Sequence, residues 1–107
     1  MNVSFEDFEK LEIRIGKVLS AEKIDGADKL LKLQVDFSSE QRQIVSGIAE
    51  FYSPNDLVGK EFPFIVNLEP RIIRGVESQG MIMAVVTESD IILLNPDKEV
   101  EPGSKIR

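Results

Sequence analysis

The strongest constraint on the fold is a strict alternation of apolar and polar side chains over residues 31–37. The apolar positions are Leu31, Leu33, Val35 and Phe37, and the polar positions between them are Lys32, Gln34 and Asp36. Because successive side chains of a strand point to opposite faces of a sheet, this period of two predicts a strand with one buried face. Such a strand needs further strands beside it to complete a sheet and a core.

Other segments of the chain also have strand character and are separated by turn residues. They are residues 12–19, 43–48, 61–68 and 81–87, with a helical turn and loop over residues 49–60 between the third and fourth strands. Five short, closely spaced strands favour a small closed barrel or a sandwich. One helical insertion between strands 3 and 4 is the layout of an OB-fold, so we predict an all-β, five-stranded OB-fold barrel.

Three features of these segments carry further expectations. Gly16, inside the first strand, predicts a β-bulge or a tight bend. Pro63, inside the fourth strand, predicts an edge strand or a bulge, because proline has no N–H to donate to a ladder. Residues 69–80 are mostly polar and predict a long loop.

Both ends of the chain extend this barrel. At the start, Ser4 is placed to cap a short helix over residues 4–11. Near the end, residues 91–94 and 105–106 predict two short extension strands separated by turns that contain proline. No linker, repeat or low-complexity segment divides the chain, so residues 1–107 are predicted to form one domain.

The composition excludes several classes of metal site and catalytic site. The chain has no His and no Cys, which excludes zinc fingers, iron–sulfur clusters and Ser-His-Asp or Cys-His nucleophile systems. No motif specifies a catalytic residue, a metal site or a cofactor. The acidic start has no apolar signal segment and no stretch is long enough to span a membrane, so we expect a cytoplasmic protein with no membrane partner.

The net charge of −6 by itself disfavours binding to nucleic acid. The acids are concentrated near the two ends, in residues 1–12 and 88–101, which leaves residues 13–87 close to neutral at −1. A basic face can therefore form in the middle of the chain if the fold separates the charges.

Five motifs, in order along the chain, resemble a tRNA-binding domain family. They are Leu11 to Val18, Ala27-Asp28-Lys29-Leu30, Gln43 to Ile48, Asn67 to Gly75, and Ser78-Gln79-Gly80-Met81. The tail over residues 93–106 is most similar to the methionyl-tRNA synthetase branch, where the domain is a C-terminal domain or a small β subunit. The family also includes a structure-specific tRNA-binding protein and the endothelial monocyte-activating polypeptide group. The chain departs from the family pattern at Asp25-Gly26 and Glu69, which both reduce positive charge.

The resemblance implies an OB-fold that binds tRNA without reading its sequence and without catalysis, with no cofactor and no preference for DNA. Such a site needs cations for phosphates and polar or apolar side chains for sugars and bases. The candidate RNA-binding residues are Lys17, Lys29, Lys32, Arg42, Asn67, Arg71, Arg74, Ser78 and Met81. For the two loop arginines the alternative is a solvated loop paired with Glu69 and Glu77, and for Asn67 and Ser78 it is bracing of the backbone.

The resemblance also implies a homodimer, and a possible association with the catalytic part of methionyl-tRNA synthetase. The candidate dimer-interface residues are the apolar side chains of the tail: Ile91, Ile92, Leu93, Leu94, Val100 and Ile106. The alternative is that these side chains cover the open end of the barrel. A competing function, favoured by the acidic net charge, is a protein-interaction, dimerisation or chaperone-like module without significant RNA binding.

Overall fold

The structure, a computed structural model, describes all residues from 1 to 107 and consists mainly of strands. Helix α1 spans Phe5–Glu9, and the strands are β1 (Ile13–Ile24), β2 (Ala27–Asp36), β3 (Gln41–Ser46), β4 (Glu61–Ile65), β5 (Arg71–Ile73), β6 (Val76–Ser78), β7 (Met81–Ile82), β8 (Ala84–Val86), β9 (Ile91–Leu93) and β10 (Lys105–Ile106). One turn of 3₁₀ helix, Pro54–Asp56, lies between β3 and β4. None of the helices has the length and apolar character that a membrane span requires.

The main sheet has the strand order β3-β2-β1-β4-β7, and β10 adds to the first residues of β1. All of its pairings are antiparallel. Strand β1 is long enough to pair with β4 over its first part and with β2 over its second part, so the sheet curls around it. The prediction of an all-β, OB-fold-like barrel with one helical turn between strands 3 and 4 is confirmed.

The core lies inside this curled sheet. It consists of Val18, Leu31, Leu33, Val35, Phe37, Ile44, Ile48, Leu57, Phe62, Phe64, Val66 and Ile82. All four apolar positions of the alternating segment are therefore buried, as predicted. The rings of Phe37 and Phe64 meet edge to face with their centroids 5.5 Å apart, a favoured geometry for aromatic pairs.

The role predicted for Gly16 is wrong. Gly16 pairs regularly with Phe62 on β4, and the two irregularities in the register of β1 come later, between Val18 and Ser20 and between Lys23 and Ile24. A Cβ atom at residue 16 would lie 2.7 Å from Cε1 of Phe37 and would also collide with Val35. The glycine is therefore required by core packing, because any side chain would displace the Phe37 ring.

Pro63 does not mark an edge strand. It lies inside β4, between β1 and β7, opposite Ile15, and its carbonyl oxygen accepts a hydrogen bond from the Met83 N–H at 3.0 Å. Because proline has no N–H with which to donate a second hydrogen bond towards β7, the β4–β7 ladder ends at Pro63. The predicted fifth strand over residues 81–87 accordingly splits, and β8 leaves the barrel to pair with β9.

The predicted loop over residues 69–80 is instead a hairpin formed by β5 and β6. Ile73 pairs with Val76, so Arg74 and Gly75 form a two-residue turn. Both turn residues have positive φ, 52° at Arg74 and 79° at Gly75, as a type I′ turn requires. This hairpin is the counterpart of the loop between strands 4 and 5 of an OB-fold.

Side chains close the barrel between β3 and residues 77–80; we call this junction the seam. The Gln79 N–H donates to the Gln43 carbonyl oxygen at 2.8 Å, the only backbone bond there, while the Gln43 N–H donates to the Gln79 side chain at 3.0 Å. The Val45 N–H donates to the buried Ser78 hydroxyl at 2.9 Å. The Arg42 guanidinium donates to the carbonyl oxygens of Gln79 and Val66.

The residues after β7 form an extension that is fixed to the outside of the barrel. The Leu93 N–H donates to the Tyr52 hydroxyl at 3.1 Å, which holds β9. The Asn95 side chain donates to the Glu61 carbonyl oxygen, and the Val100 N–H donates to the Glu61 carboxylate, both at 2.9 Å. The hairpin of β8 and β9 thus has a defined position relative to the barrel.

The two helical predictions are confirmed in shortened form. Ser4 caps α1 by accepting a hydrogen bond from the Asp7 N–H at 3.1 Å, and the helix ends at Glu9. No residue of α1 is buried, so its Phe5 and Phe8 side chains remain on the surface. The segment over residues 49–60 contains only the 3₁₀ turn.

Candidate nucleic-acid interface

Two hairpin tips meet at one end of the barrel and form an open cleft of about 390 Å³. One wall is the turn between β1 and β2 with the start of β2, residues 26–30, and the other is Ile73 and Arg74 from the β5–β6 hairpin. Lys29 and Arg74, which are distant in sequence, thereby line the same space. We call it the basic cleft. In OB-folds, these two loops and the face of strands 2 and 3 are the elements that bind oligonucleotides.

The backbone at Arg74 is in the left-handed region, which a non-glycine residue adopts at a cost of about 1–2 kcal/mol. Asparagine is the residue usually found before glycine in this turn. The arginine therefore occupies a position that local turn chemistry does not favour, and its exposed side chain extends from the tip of the hairpin. Strain of this kind is typical of residues retained for a function.

A second, smaller cleft adjoins the first and shares Ile73 with it. Its walls are Val45, Leu68, Glu69, Arg71, Ile73, Ser78, Gly80 and Met81. We call it the apolar cleft, because Leu68, Ile73 and Met81 provide much of its surface. Leu68 and Met81 are partly open to solvent, at 39% and 46% exposure. Apolar surface beside arginine side chains suits an unstacked base flanked by phosphates.

The cations around the two clefts are free of ion pairs. The ion pairs of the protein join Lys10 to Asp7, Arg14 to Glu12, Lys32 to Glu22 and Arg42 to Glu40. Lys29, Arg71 and Arg74 form none. The alternative in which the loop arginines pair with Glu69 and Glu77 is therefore absent from the structure, and all three cations can meet an anionic ligand.

Three of the other candidate residues have structural contacts instead. The Asn67 side chain accepts from the Glu12 N–H at 2.8 Å and donates to the Lys10 carbonyl oxygen at 2.6 Å, which fixes the segment before β1. The Ser78 hydroxyl is buried and donates to the Gly80 carbonyl oxygen while it accepts from Val45. Arg42 bridges the seam.

The two remaining lysines lie outside the clefts. Lys17 is half-buried on β1, where it stands between Asp36 of β2 and Glu61 of β4. Lys32 is half-buried on β2, and its Nζ lies 2.7 Å from a carboxylate oxygen of Glu22. The structure thus brings Lys29, Arg71, Arg74 and Met81 to the two clefts, with the buried Ser78 in the wall of the apolar cleft, and places the other four candidates elsewhere.

Ile73 and Leu68 line the clefts but were not predicted as site residues. Ile73 separates the basic cleft from the apolar cleft and contributes to both. Its position between Arg71 and Arg74 was a possible signal, since an apolar residue between two cations in an OB-fold loop has the pattern of a base-contacting residue. Leu68 lies three residues after the end of the buried strand β4 and had no signal of its own.

The candidate dimer residues alternate in their environment. Ile92 and Leu94 are exposed at 45% and 40%, whereas Ile91 and Leu93 pack against the core. Val100 and Ile106 are half-buried. Val85 and Val86, which the sequence suggested as strand residues of the barrel, are exposed on the same hairpin, and Val86 is 75% exposed.

An apolar groove of about 420 Å³ runs between this hairpin and the barrel. Its apolar walls include Ile48, Met81, Ile82, Met83, Ala84, Val86 and Ile91. Together with the exposed Val85 and Val86, the groove gives the extension a largely apolar exposed surface. The structure brings no three carboxylates together as a metal site.

Comparison with known proteins identifies the family. The family model described as "Putative tRNA binding domain" matches residues 13–105, nearly the whole chain. The chain belongs to this tRNA-binding domain family. A methionine–tRNA ligase of Methanoregula boonei is 58% identical over 105 residues, which is 98% of this chain and 16% of that protein. The chain thus spans 16% of the length of the curated relatives it matches.

Two solved structures are similar to this chain over its full length. A MetRS-related protein from Pyrococcus horikoshii is 42% identical with a TM-score of 0.95, over 100% of this chain and 99% of that one. The chaperone CsaA from Bacillus anthracis is 32% identical with a TM-score of 0.91, over 100% of both chains. A protein described as a chaperone therefore has a similar fold.

Proposed function

We propose that this chain is a non-catalytic module that binds tRNA through the basic cleft and the apolar cleft, without reading tRNA identity. It serves methionyl-tRNA synthetase as a C-terminal domain or small subunit in the cytoplasm. Membership of the tRNA-binding domain family and the identity to methionine–tRNA ligases support this proposal.

The observation that carries the proposal is the meeting of Lys29 and Arg74 in one open cleft. Arg71 lies on the same hairpin, and none of these cations is neutralised by an ion pair. An RNA strand crossing this end of the barrel would place phosphates against the three cations. Phosphate contacts of this kind supply affinity without sequence information.

The module has no chemistry of its own in this proposal. Its composition has no His and no Cys, so it lacks the usual pairs of nucleophile and base. Its contribution to a synthetase is additional binding energy for tRNA. A tethered second binding site raises the overall affinity by increasing the effective concentration of the ligand.

We further propose that the module forms a homodimer through its extension. Val85, Ile92 and Leu94 are exposed on one face of the β8–β9 hairpin, and Val86 is exposed on its other face, at the apolar groove. Burying these apolar side chains against a second copy removes them from water. The basic cleft does not share these residues, so each copy keeps its own cleft open.

Titration of labelled tRNA at 50 and 200 mM salt tests the RNA-binding proposal, with a DNA duplex of similar length as the control. Three phosphate contacts predict that the affinity for tRNA falls about 30-fold between the two salt concentrations. Lys29→Gln removes one contact and lowers the salt slope by about 0.7–0.9. Lys98→Gln makes the same change in the acidic segment and leaves the slope unchanged. Failure to bind tRNA at 50 mM salt would refute the proposal.

A second candidate function is a chaperone-like protein-binding module. The observation that favours it is the apolar groove, together with the similarity to the chaperone CsaA. A module of this kind would suppress the aggregation of an unfolded model protein, and the suppression would be lost in a Val86→Glu variant but kept in Lys29→Gln. The tRNA-binding proposal predicts instead that Lys29→Gln lowers the tRNA affinity and that Val86→Glu keeps it.

A further inference from the structure

We propose that the apolar cleft takes one unpaired base of the RNA and that Glu69 selects the base through its hydrogen-bond donors. This inference rests on the proposed tRNA-binding function and adds a ligand class to the same site. The preferred ligand is a guanine in a loop or single-stranded segment.

The cleft is small, about 70 Å³, so a base would lie across its apolar lining rather than inside it, beside cations that its backbone can meet. Leu68, Ile73 and Met81 offer apolar surface that is already partly exposed, while Arg71 lines the same cleft and Arg74 lies across Ile73 in the basic cleft. A base can pack on the apolar side chains while its flanking phosphates meet the arginines. Duplex RNA cannot use this arrangement, since its bases are stacked inside the helix.

Glu69 is the residue that phosphate binding alone does not explain. It lines the apolar cleft, is exposed and forms no ion pair, although Arg71 is two residues away. An unpaired carboxylate in a surface that binds phosphates weakens the attraction. A carboxylate that accepts hydrogen bonds from a base gives this residue a favourable role.

The chemistry of the carboxylate determines the base. An ionised carboxylate is only an acceptor, with two oxygens. Guanine presents two adjacent donors, N1–H and N2–H, which match both oxygens. Cytosine and adenine present one amino group, and the N3–H of uracil lies between two carbonyl oxygens that the carboxylate repels. The expected order is guanine first and uracil last.

Preference at one unpaired base differs from reading tRNA identity. All RNAs that offer the same base at the same place bind alike, whichever amino acid they accept. Glu69 is thus a specificity-determining residue for the conformation and base of one nucleotide, while Lys29, Arg71 and Arg74 bind the backbone of any sequence.

The test uses four RNA hairpins that have one stem and a seven-nucleotide uridine loop, in which the central loop base is G, C, A or U. We expect the protein to bind the G loop about fivefold or more tightly than the U loop, the lower end of what a bidentate base contact supplies. Glu69→Gln should remove the preference. Glu77→Gln makes the same charge change on the same hairpin but outside both clefts, and should keep the preference.

The remaining outcomes decide between this inference and the function on which it rests. Equal binding of the four loops by the wild-type protein, with tRNA still bound, would overturn the base site and leave the tRNA-binding proposal intact. Binding of tRNA without binding of any of the four loops would also overturn the base site. Failure to bind every RNA would refute both, and the cleft would then be a surface for a protein partner.

Discussion

The guanidinium of Arg42 donates a hydrogen bond to the carbonyl oxygen of Gln79 at 3.0 Å and so joins the two sides of the seam. The same group donates to the Val66 carbonyl oxygen at 2.6 Å and to the Glu40 carboxylate at 2.7 Å. One side chain therefore ties together β3, the end of β4 and the segment before β7. Its contacts all lie within the protein, although the sequence made Arg42 a candidate RNA-binding residue.

We predict that Arg42→Ala lowers the free energy of unfolding by about 2–3 kcal/mol, because it leaves two carbonyl oxygens without their charged donor. The tRNA affinity of the folded variant should change less than about twofold, since Arg42 lines neither cleft. Urea unfolding and tRNA titration measure the two quantities. Unchanged stability with weakened tRNA binding would instead assign Arg42 to the RNA surface.

We predict that Arg74→Asn weakens tRNA binding without lowering the free energy of unfolding. Asparagine accepts the left-handed backbone of a type I′ turn more readily than arginine, so the free energy of unfolding should stay the same or rise by up to about 1 kcal/mol. Loss of the cation should weaken tRNA binding and lower the salt slope by about 0.7–0.9. Gly75 keeps the turn geometry in both proteins. A destabilised variant would show that the arginine braces the hairpin.

We predict that Gly16→Ala destabilises the protein by about 1–3 kcal/mol, because the added methyl group collides with Phe37 and Val35 in the core. Gly47→Ala is the matched control, since no atom lies within 4 Å of a Cβ placed there. Urea unfolding of the two variants compares them directly. Equal stabilities would mean that Phe37 can repack without cost.

We predict that Val86→Glu prevents the proposed homodimer from forming, because the charge would be buried against the second copy. Val86 is 75% exposed within one chain, so the fold itself should tolerate the change. Ile72→Glu is the control: Ile72 is 70% exposed on the β5–β6 hairpin and should leave the oligomeric state unchanged. Sedimentation velocity distinguishes the species. A wild-type protein that sediments as a monomer at micromolar concentration would rule out the proposed homodimer.

We predict an acid-sensitive contribution to stability from Asp56. Hydrogen bonds from the Ser53 N–H and then the Ser53 hydroxyl, both at 2.9 Å, lower the pKa of the Asp56 carboxyl. Because the pKa is lower in the folded state, the contribution is present above the unfolded value of about 3.9 and is lost as the pH falls through the folded pKa. Unfolding curves measured from pH 7 to pH 2 should show that the free energy of unfolding falls less with acid in Asp56→Asn than in the wild type. Asp97→Asn should behave like the wild type.

The structure was predicted correctly where a sequence pattern is compatible with only one local structure. The alternation from Leu31 to Phe37 allows only one buried face, and the Ser4 cap is read from local chemistry. Gly16 and Pro63 were misread for a common reason: each is determined by residues far along the chain, Phe37 for the glycine and the departing Met83 for the proline. The hairpin at Arg74 was missed because arginine before glycine is not the usual signal of a type I′ turn.

The candidate site was only partly predictable from the same information. Lys29, Arg71, Arg74 and Met81 lie around the two clefts, and the motifs that identified them remain hypotheses for RNA contact. Asn67 and Ser78 could not be assigned without coordinates, since each contacts backbone atoms more than 30 residues away. A short polar side chain has the same appearance in a sequence whether it meets a ligand or the chain itself.

The seam also protects the protein against aggregation. The outer edge of β3 would otherwise present unpaired backbone groups, and an open strand edge is a template on which another chain can add as a further strand. Gln79 and Ser78 occupy the N–H and carbonyl groups of Gln43 and the N–H of Val45, so this edge is already capped. A small barrel with this arrangement can be made in quantity, or appended to a larger enzyme, without adding an aggregation-prone edge to its host.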